Sequence, residues 1–264
     1  MRTWLVAAAA VLVAGCTSAQ FTQLNATLMQ AEAGRAARLA TSATIAQLAL
    51  VHMAAALSQA AAQDIGDGTV STLTGAPAPD AEFSYELDNA AGTARVLRTH
   101  GGRRSVDLAF TFAAERGNAG MAYTVTGTTG QFEGYQLFFP RLTLVFSAML
   151  GADMQPAKHE NGYMLFNVDI DAVGSLGTRD TESMRLSKAT FGLTYPISAG
   201  EAQVGALTAV GADGNVFDGR VMLANKSLRL EGAIKDAAGI KLYDLKAGPD
   251  GVMSLSKPAG GSAN

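Results

Sequence analysis

The chain has 264 residues, of which 48% are hydrophobic, 16% charged and 7% aromatic, a composition typical of a folded protein rather than a disordered or fibrous one. Lys and Arg number 20 against 23 Asp and Glu, a net charge of -3. A broad basic surface for nucleic acid is therefore not expected. One Cys and three His argue against a disulfide framework and a Cys/His zinc site. We expect no metal and no cofactor.

The N-terminus has the organisation of a signal peptide. Arg2 precedes an uncharged apolar run, residues 4–14, and small residues follow it. The run is shorter than the roughly 20 helical residues that cross a bilayer, so we do not expect it to span a membrane in the mature protein. The alternative is a buried apolar helix, but such a helix rarely begins this close to the N-terminus.

The apolar run ends in Leu12, Val13, Ala14, Gly15 and Cys16, and Cys16 is the only Cys in the chain. This segment resembles the lipobox of bacterial lipoproteins. The resemblance implies transfer of a diacylglyceryl group to the Cys16 thiol, cleavage after Gly15 as the end of a signal peptide over residues 1–15, and acylation of the new amino terminus. Stable anchoring to a lipid bilayer takes two or more chains, which these modifications supply.

In the lipoprotein class, Asp directly after the Cys marks retention in the inner membrane of many two-membrane bacteria. Here that position holds Thr17. The resemblance therefore implies the cell envelope, and the outer membrane facing the periplasm if the organism has two membranes.

Residues 16–68 form a predicted lipid-anchored helical segment. Between residues 20 and 63 there are fifteen Ala, no Pro and three formal charges, which favours a helix. The uncharged part, residues 39–63, raises the alternative of a transmembrane span, but Gln47, His52 and Ser58 interrupt it and Ala buries little surface. We predict instead a helix packed on the body, with more than one face covered by a sheet or by a protein partner.

Residues 69–80 combine Thr, Ser, Gly and two Pro and are predicted to be a linker or long loop. From 81 to 257 the apolar period changes to two, as in Val106, Leu108 and Phe110, which indicates half-buried strands. Turn signals separate the strands and no helix-length pattern intervenes. We predict an α+β, mainly β protein, with an antiparallel meander of about eleven to thirteen strands. Residues 258–264 are a predicted disordered tail.

The predicted sheet has one apolar face that must be covered. It can form a curved sheet, a half-open barrel or a sandwich, by closing on itself, by pairing with a second sheet or by wrapping a helix. The N-terminal helix is available for the last of these arrangements.

Aromatic residues concentrate between residues 110 and 146. They predict either an ordinary core or the lining of a cavity for a lipid or another hydrophobic ligand. The candidate lining residues are Phe110, Phe112, Tyr123, Phe132, Phe138 and Phe146. Residues 131–139 are apolar at both parities, so either both faces of this segment are covered or an exposed patch lies there.

A basic cluster surrounds a predicted hairpin turn. It consists of Arg95, Arg98, Arg103 and Arg104, with His100 between them. Guanidinium groups donate hydrogen bonds in a planar fork, so the cluster is a candidate site for a phosphate or carboxylate, such as a lipid headgroup. The alternative is a solvated hairpin tip.

Motifs for metal binding and catalysis are weak. Asp169, Asp171 and Asp180 match part of a calcium loop, but Val173 occupies a ligand position and a strand is predicted there. Ser254 and Lys257 match S-x-x-K by letters alone, without the partner motifs. No nucleophile elbow, phosphate-cradling loop or triad spacing is present in the sequence, so the sequence does not predict an enzyme.

Taken together, these patterns predict a membrane-anchored envelope lipoprotein that acts as a binding or scaffold module. One alternative is a carrier that holds a lipid or another hydrophobic ligand in a β-lined cavity, similar to the half-open barrels of lipid-transfer proteins by fold-level analogy. A less favoured alternative is an envelope hydrolase with dispersed catalytic residues. Cavity volume tests the first alternative, and a buried acid–base pair in a cleft tests the second.

Overall fold

The computed structural model describes one helix and a large sheet. The described residues are 18–65, 83–100, 102–117, 120–158, 164–179, 181–195, 204–224, 227–248 and 252–258. The predicted signal peptide, Cys16, the predicted linker and residues 259–264 of the predicted tail lie outside them. The chain divides into two compact units, residues 1–38 and 39–264. Helix α1, Ser18–Ile65, contributes its first part to the first unit and its second part to the second.

Twelve strands follow the helix in the described part of the chain. They are β1 Phe83–Asp88, β2 Thr93–His100, β3 Arg103–Arg116, β4 Met121–Phe132, β5 Gln136–Ala148, β6 Phe166–Thr178, β7 Thr181–Tyr195, β8 Val204–Gly211, β9 Val216–Ala224, β10 Ser227–Lys235, β11 Lys241–Ala247 and β12 Met253–Ser256. All twelve form a single sheet in chain order. Neighbouring strands run antiparallel. The predicted mainly β meander is confirmed, as one sheet that is neither a sandwich nor a closed barrel.

The part of helix α1 in the second unit lies in the core. Leu50, Met53 and Leu57 are fully buried, and so are the polar residues Gln47 and Ser58 that interrupt its apolar sequence. Residues 30–65 are long and apolar enough to cross a membrane, but 83% of their most apolar window is buried inside the protein. A helix whose residues are mostly buried around its circumference is typical of a protein core.

Strands at both ends of the sheet contact this helix. The Thr41 hydroxyl lies 3.8 Å from the Met253 sulfur on β12, and His52 Nδ1 lies 2.8 Å from the Tyr85 hydroxyl on β1. These two helical positions are about 16 Å apart along the axis at 1.5 Å per residue. The sheet therefore covers its apolar face by wrapping the helix, which is one of the three arrangements that the sequence left open.

The C-terminal end of helix α1 is held by polar contacts with the first strands. The Tyr123 hydroxyl donates to one carboxylate oxygen of Asp64 at 2.7 Å, and the Asn89 amide donates to the other at 3.0 Å. Arg116 donates to the Asp64 backbone carbonyl, one of the carbonyls that the helix leaves without an internal partner. Burial, together with the bond to Asp64, raises the pKa of Tyr123, so the phenol remains a donor.

Candidate functional site

The ladder between strands β4 and β5 is interrupted along most of their length, and we call this interrupted stretch the slit. They pair only from Met121 to Thr124 with Thr143 to Phe146, and again at the tip between Phe132 and Tyr135. Between these points, residues 125–131 and 136–142 have no ladder across the slit. The Thr128 hydroxyl bridges it by donating to the Leu137 carbonyl at 2.7 Å.

Local sequence explains why the ladder between these two strands is interrupted. Pro140 has no N–H to donate to a ladder, and the register of β5 with β6 shifts between Phe138 and Arg141. On the other side, the register of β3 with β4 shifts between Thr111 and Phe112. Each shift places an extra residue in one strand and bends it away from its neighbour.

Gly130 permits a close approach between β4 and β3 beside the slit. Its φ is +94°, and a Cβ atom there would lie 2.0 Å from the Asp107 carbonyl oxygen. Only glycine fits both the left-handed backbone and this distance.

The tip of the hairpin is held by β2 and β3. Glu133 has a φ of +49°, and its carboxylate accepts hydrogen bonds from Arg98 and from the Ser105 hydroxyl, both at 3.0 Å. Its backbone N–H donates to the Ser105 carbonyl at 2.9 Å. These bonds fix the position of the tip. The slit is therefore closed at one end by the tip and at the other by the four paired positions of β4 and β5.

The slit opens into a groove of about 780 Å³. Most of its side chains carry hydroxyl or amide groups. The lining residues are Thr128, Thr129, Gly130, Gln131, Gln136, Leu137, Phe138, Ser175, Gly177, Thr178, Thr181 and Glu182. Leu137 is 5% exposed and Phe138 63% exposed, since successive residues of a strand point to opposite faces. None of these twelve lining residues is Lys or Arg, and Glu182 is the one carboxylate among them.

Five of the six predicted hydrophobic-lining residues are buried. Phe112, Tyr123 and Phe146 form an edge-to-face chain with ring centroids 5.7 and 5.5 Å apart, a favourable aromatic arrangement. Phe110 and Phe132 are buried as well. Phe138 is the one that reaches the groove. The apolar pattern of residues 131–139 therefore divides at the tip, with Leu137 and Phe139 facing the core and Phe138 facing outward.

The predicted anion site is an ion-pair network. Arg95 forms a bidentate pair with Asp107 at 2.7 and 2.9 Å, and Arg104 also donates to Asp107 at 3.0 Å. The hydrogen bond from Arg95 lowers the pKa of Asp107. Arg98 forms a salt bridge with Glu133 at 3.0 Å, and Arg103 is exposed on β3. Three of the four predicted guanidiniums are thus bonded to carboxylates of this chain.

A second cluster, His52, Phe83, Tyr85 and Phe132, lies inside the sheet next to the hairpin tip. The His52 ring stacks on Phe83 with centroids 3.8 Å apart, and Phe132 is 5.8 Å away. Burial, and secondarily the charge of Arg98, lowers the pKa of His52 to about 3. Burial raises the pKa of Tyr85. Both side chains are therefore uncharged at neutral pH, and they interact through a hydrogen bond and packing rather than as an ion pair.

The other predicted motifs are dispersed on the surface. Asp169 and Asp171 are exposed on β6, and Asp171 pairs with Arg141 at 3.3 Å. Asp180 lies outside the described residues. Ser254 and Lys257 are exposed at the end of the sheet. Among the residues that the structure describes, there is no group of three His, Cys, Asp or Glu placed to hold a metal ion.

Sequence reasoning missed the groove. Its polar residues follow no catalytic or binding motif, and they come from four different strands and their turns. The signals that were present are Pro140 inside a strand pattern and the apolar residues at both parities around it. Comparisons of the chain with protein-family models, curated proteins and solved structures find no match.

Proposed function

We propose that this protein is a lipid-anchored envelope lipoprotein whose β-domain is a binding module, and that the groove at the β4–β5 slit is its binding surface. The observation that carries the proposal is the slit itself. Strand β4 has eleven paired positions with β3 but four with β5. An interrupted ladder and an exposed aromatic ring cost stability, and such costs concentrate at functional sites.

Anchoring through Cys16 follows from the lipobox resemblance and agrees with the position of helix α1. Since the apolar part of the helix is buried in the protein, attachment to the bilayer falls to the lipid chains. The location that goes with this proposal is the envelope, and the outer membrane facing the periplasm if the organism has two membranes.

Binding on the outside of the sheet is favoured over the carriage of a hydrophobic ligand inside it. Helix α1 occupies the space that the sheet wraps, and the rings of Phe112, Tyr123 and Phe146 pack on one another. Binding is also favoured over hydrolysis, because the twelve lining residues of the groove include a single carboxylate and no His or Cys, and His52 is buried. Neither the carrier nor the hydrolase therefore gains support from these residues.

Site-specific photo-crosslinking in the producing bacterium tests the groove. A benzophenone amino acid replaces Gln136 in the groove or, as the control, Thr190, an exposed residue in the second half of β7. We expect adducts from position 136 and not from position 190, with mass spectrometry identifying their chemical class. The same adducts from both positions, or none from position 136, would contradict the proposed binding surface.

A further inference from the structure

We propose that the groove binds a neutral oligosaccharide, and that Phe138 is the platform on which one sugar ring stacks. The inference rests on the proposed function, because it names the ligand class of the same groove. The volume of about 780 Å³ lies within the usual range for small-molecule sites, about 300–1,000 Å³.

The polar groups of the groove match the hydroxyls of a sugar. Gln131 and Gln136 each present a donor and an acceptor from one amide. The Thr128 hydroxyl donates to the Leu137 carbonyl, and the Thr178 and Thr181 hydroxyls bond to each other, so these hydroxyls offer a ligand mainly their remaining acceptor positions. A sugar hydroxyl both donates and accepts, so every partner in such a contact is satisfied. A purely apolar ligand would leave the amides of Gln131 and Gln136 without partners, at a cost of about 1–3 kcal/mol for each that becomes buried.

The charge of the groove argues against an anionic ligand. Glu182 contributes a negative charge, and none of the twelve lining residues contributes a positive one. Two exposed cations flank the lining, Arg179 after β6 and Arg185 opposite Ser175. They offset the charge of Glu182, but exposed charges outside the lining hold an anion weakly because solvent screens them. The nearby basic cluster is already paired, since Arg95 and Arg98 are bonded to Asp107 and Glu133. A neutral ligand therefore matches the lining better than an anionic one.

Phe138 supplies the apolar part of the recognition. Its side chain is 63% exposed, and its cross-strand neighbour is the small residue Ser175, which lies on the same face of the sheet. Gln136 is on that face too, two residues away. A pyranose ring has C–H groups on one face and hydroxyls around its rim. The C–H face can cover the aromatic ring while the rim reaches Ser175 and Gln136.

The backbone edges of the slit add further hydrogen-bonding groups. Residues 125–131 of β4 and 136–142 of β5 lack a regular ladder between them, and a regular ladder is what pairs the N–H and C=O groups of neighbouring strands. Bound hydroxyls can use such groups without any change in the ladders on the outer sides of β4 and β5.

Isothermal titration calorimetry with the purified full-length protein tests the assignment. The probes are cellohexaose, maltohexaose and chitohexaose, and the detergent has no sugar headgroup, since a maltoside would compete. We expect at least one hexaose to bind with a Kd below about 1 mM. Phe138→Ala should weaken that binding at least tenfold, and Phe138→Trp should retain it.

Met154→Ala is the matched control, because Met154 is also an exposed apolar residue, 70% exposed, and lies outside the groove. Its binding should equal that of the wild type. Unfolding midpoints of both alanine variants should stay close to the wild-type value, because both side chains are exposed, so a loss of binding in Phe138→Ala cannot come from unfolding. Equal binding by Phe138→Ala and Met154→Ala would overturn the proposal.

Two outcomes separate this inference from the proposed function. If none of the three hexaoses binds but position 136 forms adducts in cells, the saccharide assignment is wrong and the binding function stands. Adducts to a protein would then identify the ligand of the groove as a protein. If inorganic phosphate binds and the hexaoses do not, the argument from charge is wrong. Failure of both the crosslinking and the titrations would overturn both proposals.

Discussion

His52 on the core helix and Tyr85 on the edge strand β1 are in direct contact, with Nδ1 2.8 Å from the hydroxyl oxygen. Strand β1 has a single neighbour in the sheet, β2. An edge strand with one free side depends on other contacts to stay in place. The His52 ring, which also stacks on Phe83 of the same strand, supplies such contacts, and they require an uncharged imidazole at this buried position.

The protonation of His52 makes stability depend on pH. Burial lowers its pKa from 6.5 to about 3, so the unfolded chain takes up a proton below pH 6.5 and the folded protein does not until pH 3. The stabilisation is complete above pH 6.5 and is lost as the pH falls toward 3. Between pH 7.5 and pH 5 we expect the free energy of unfolding to fall by about 2 kcal/mol through this residue.

Urea unfolding of wild type and His52→Gln at both pH values measures this effect. Glutamine does not titrate and keeps a hydrogen-bonding group near Tyr85, while all other titrating groups are the same in the two proteins. The variant should therefore lose about 2 kcal/mol less than the wild type over this interval. Identical pH dependence in the two proteins would show that His52 is not the group responsible.

Gln47 is predicted to cost stability. Its side chain is fully buried, and neither amide atom has a hydrogen-bond partner among the described residues. A buried unsatisfied polar group costs about 1–3 kcal/mol, and Met has a similar length with no such requirement. Gln47→Met should raise the free energy of unfolding by about this amount, measured by urea denaturation.

Thr44→Val is the control for that substitution. The Thr44 hydroxyl is buried too, but it donates to the Ala40 carbonyl at 2.9 Å. Removing a satisfied hydroxyl is expected to be neutral or slightly destabilising. A Gln47→Met protein less stable than Thr44→Val would mean that the amide makes a stabilising contact.

Gly130 and Gly134 form a matched pair for testing the geometry of the slit. Both have positive φ, +94° and +81°, but a Cβ at Gly130 would lie 2.0 Å from the Asp107 carbonyl whereas one at Gly134 would meet nothing within 4 Å. Gly134→Ala should cost about 1–2 kcal/mol from backbone strain alone. Gly130→Ala should cost about 1–3 kcal/mol more, because β3 and β4 must move apart. Equal losses of unfolding free energy would mean that this close approach is absent in solution.

Lipid attachment is expected at Cys16. Radiolabelled palmitate should be incorporated into the wild-type protein and not into Cys16→Ser, because serine lacks the thiol that accepts the diacylglyceryl group. The label is read from the immunoprecipitated protein after electrophoresis. Equal labelling of both proteins would rule out Cys16 as the site.

The sequence predicted the elements well because their signals are local. Alternation in Val106, Leu108 and Phe110 reports a strand with one buried face, and the Ala-rich segment without Pro reports a helix. Within such a strand, the same alternation separates the polar from the apolar face. They carry no information about which residue stands opposite another, so the pairing of Arg95 with Asp107 could not be read from them.

The site was decided by the tertiary structure. Whether Phe138 faces the core or the solvent depends on the tip at Glu133, where positive φ angles reset the parity of β5, and on the register shift around Pro140. Whether the sheet closes, pairs or wraps depends on what fills its concave side. By itself the sequence determined the helix and the strands, since a periodicity records the direction of each side chain, and the leader stays a prediction. Only the folded chain determined the slit and the groove, because strand register and bulges are set by contacts between residues distant in sequence.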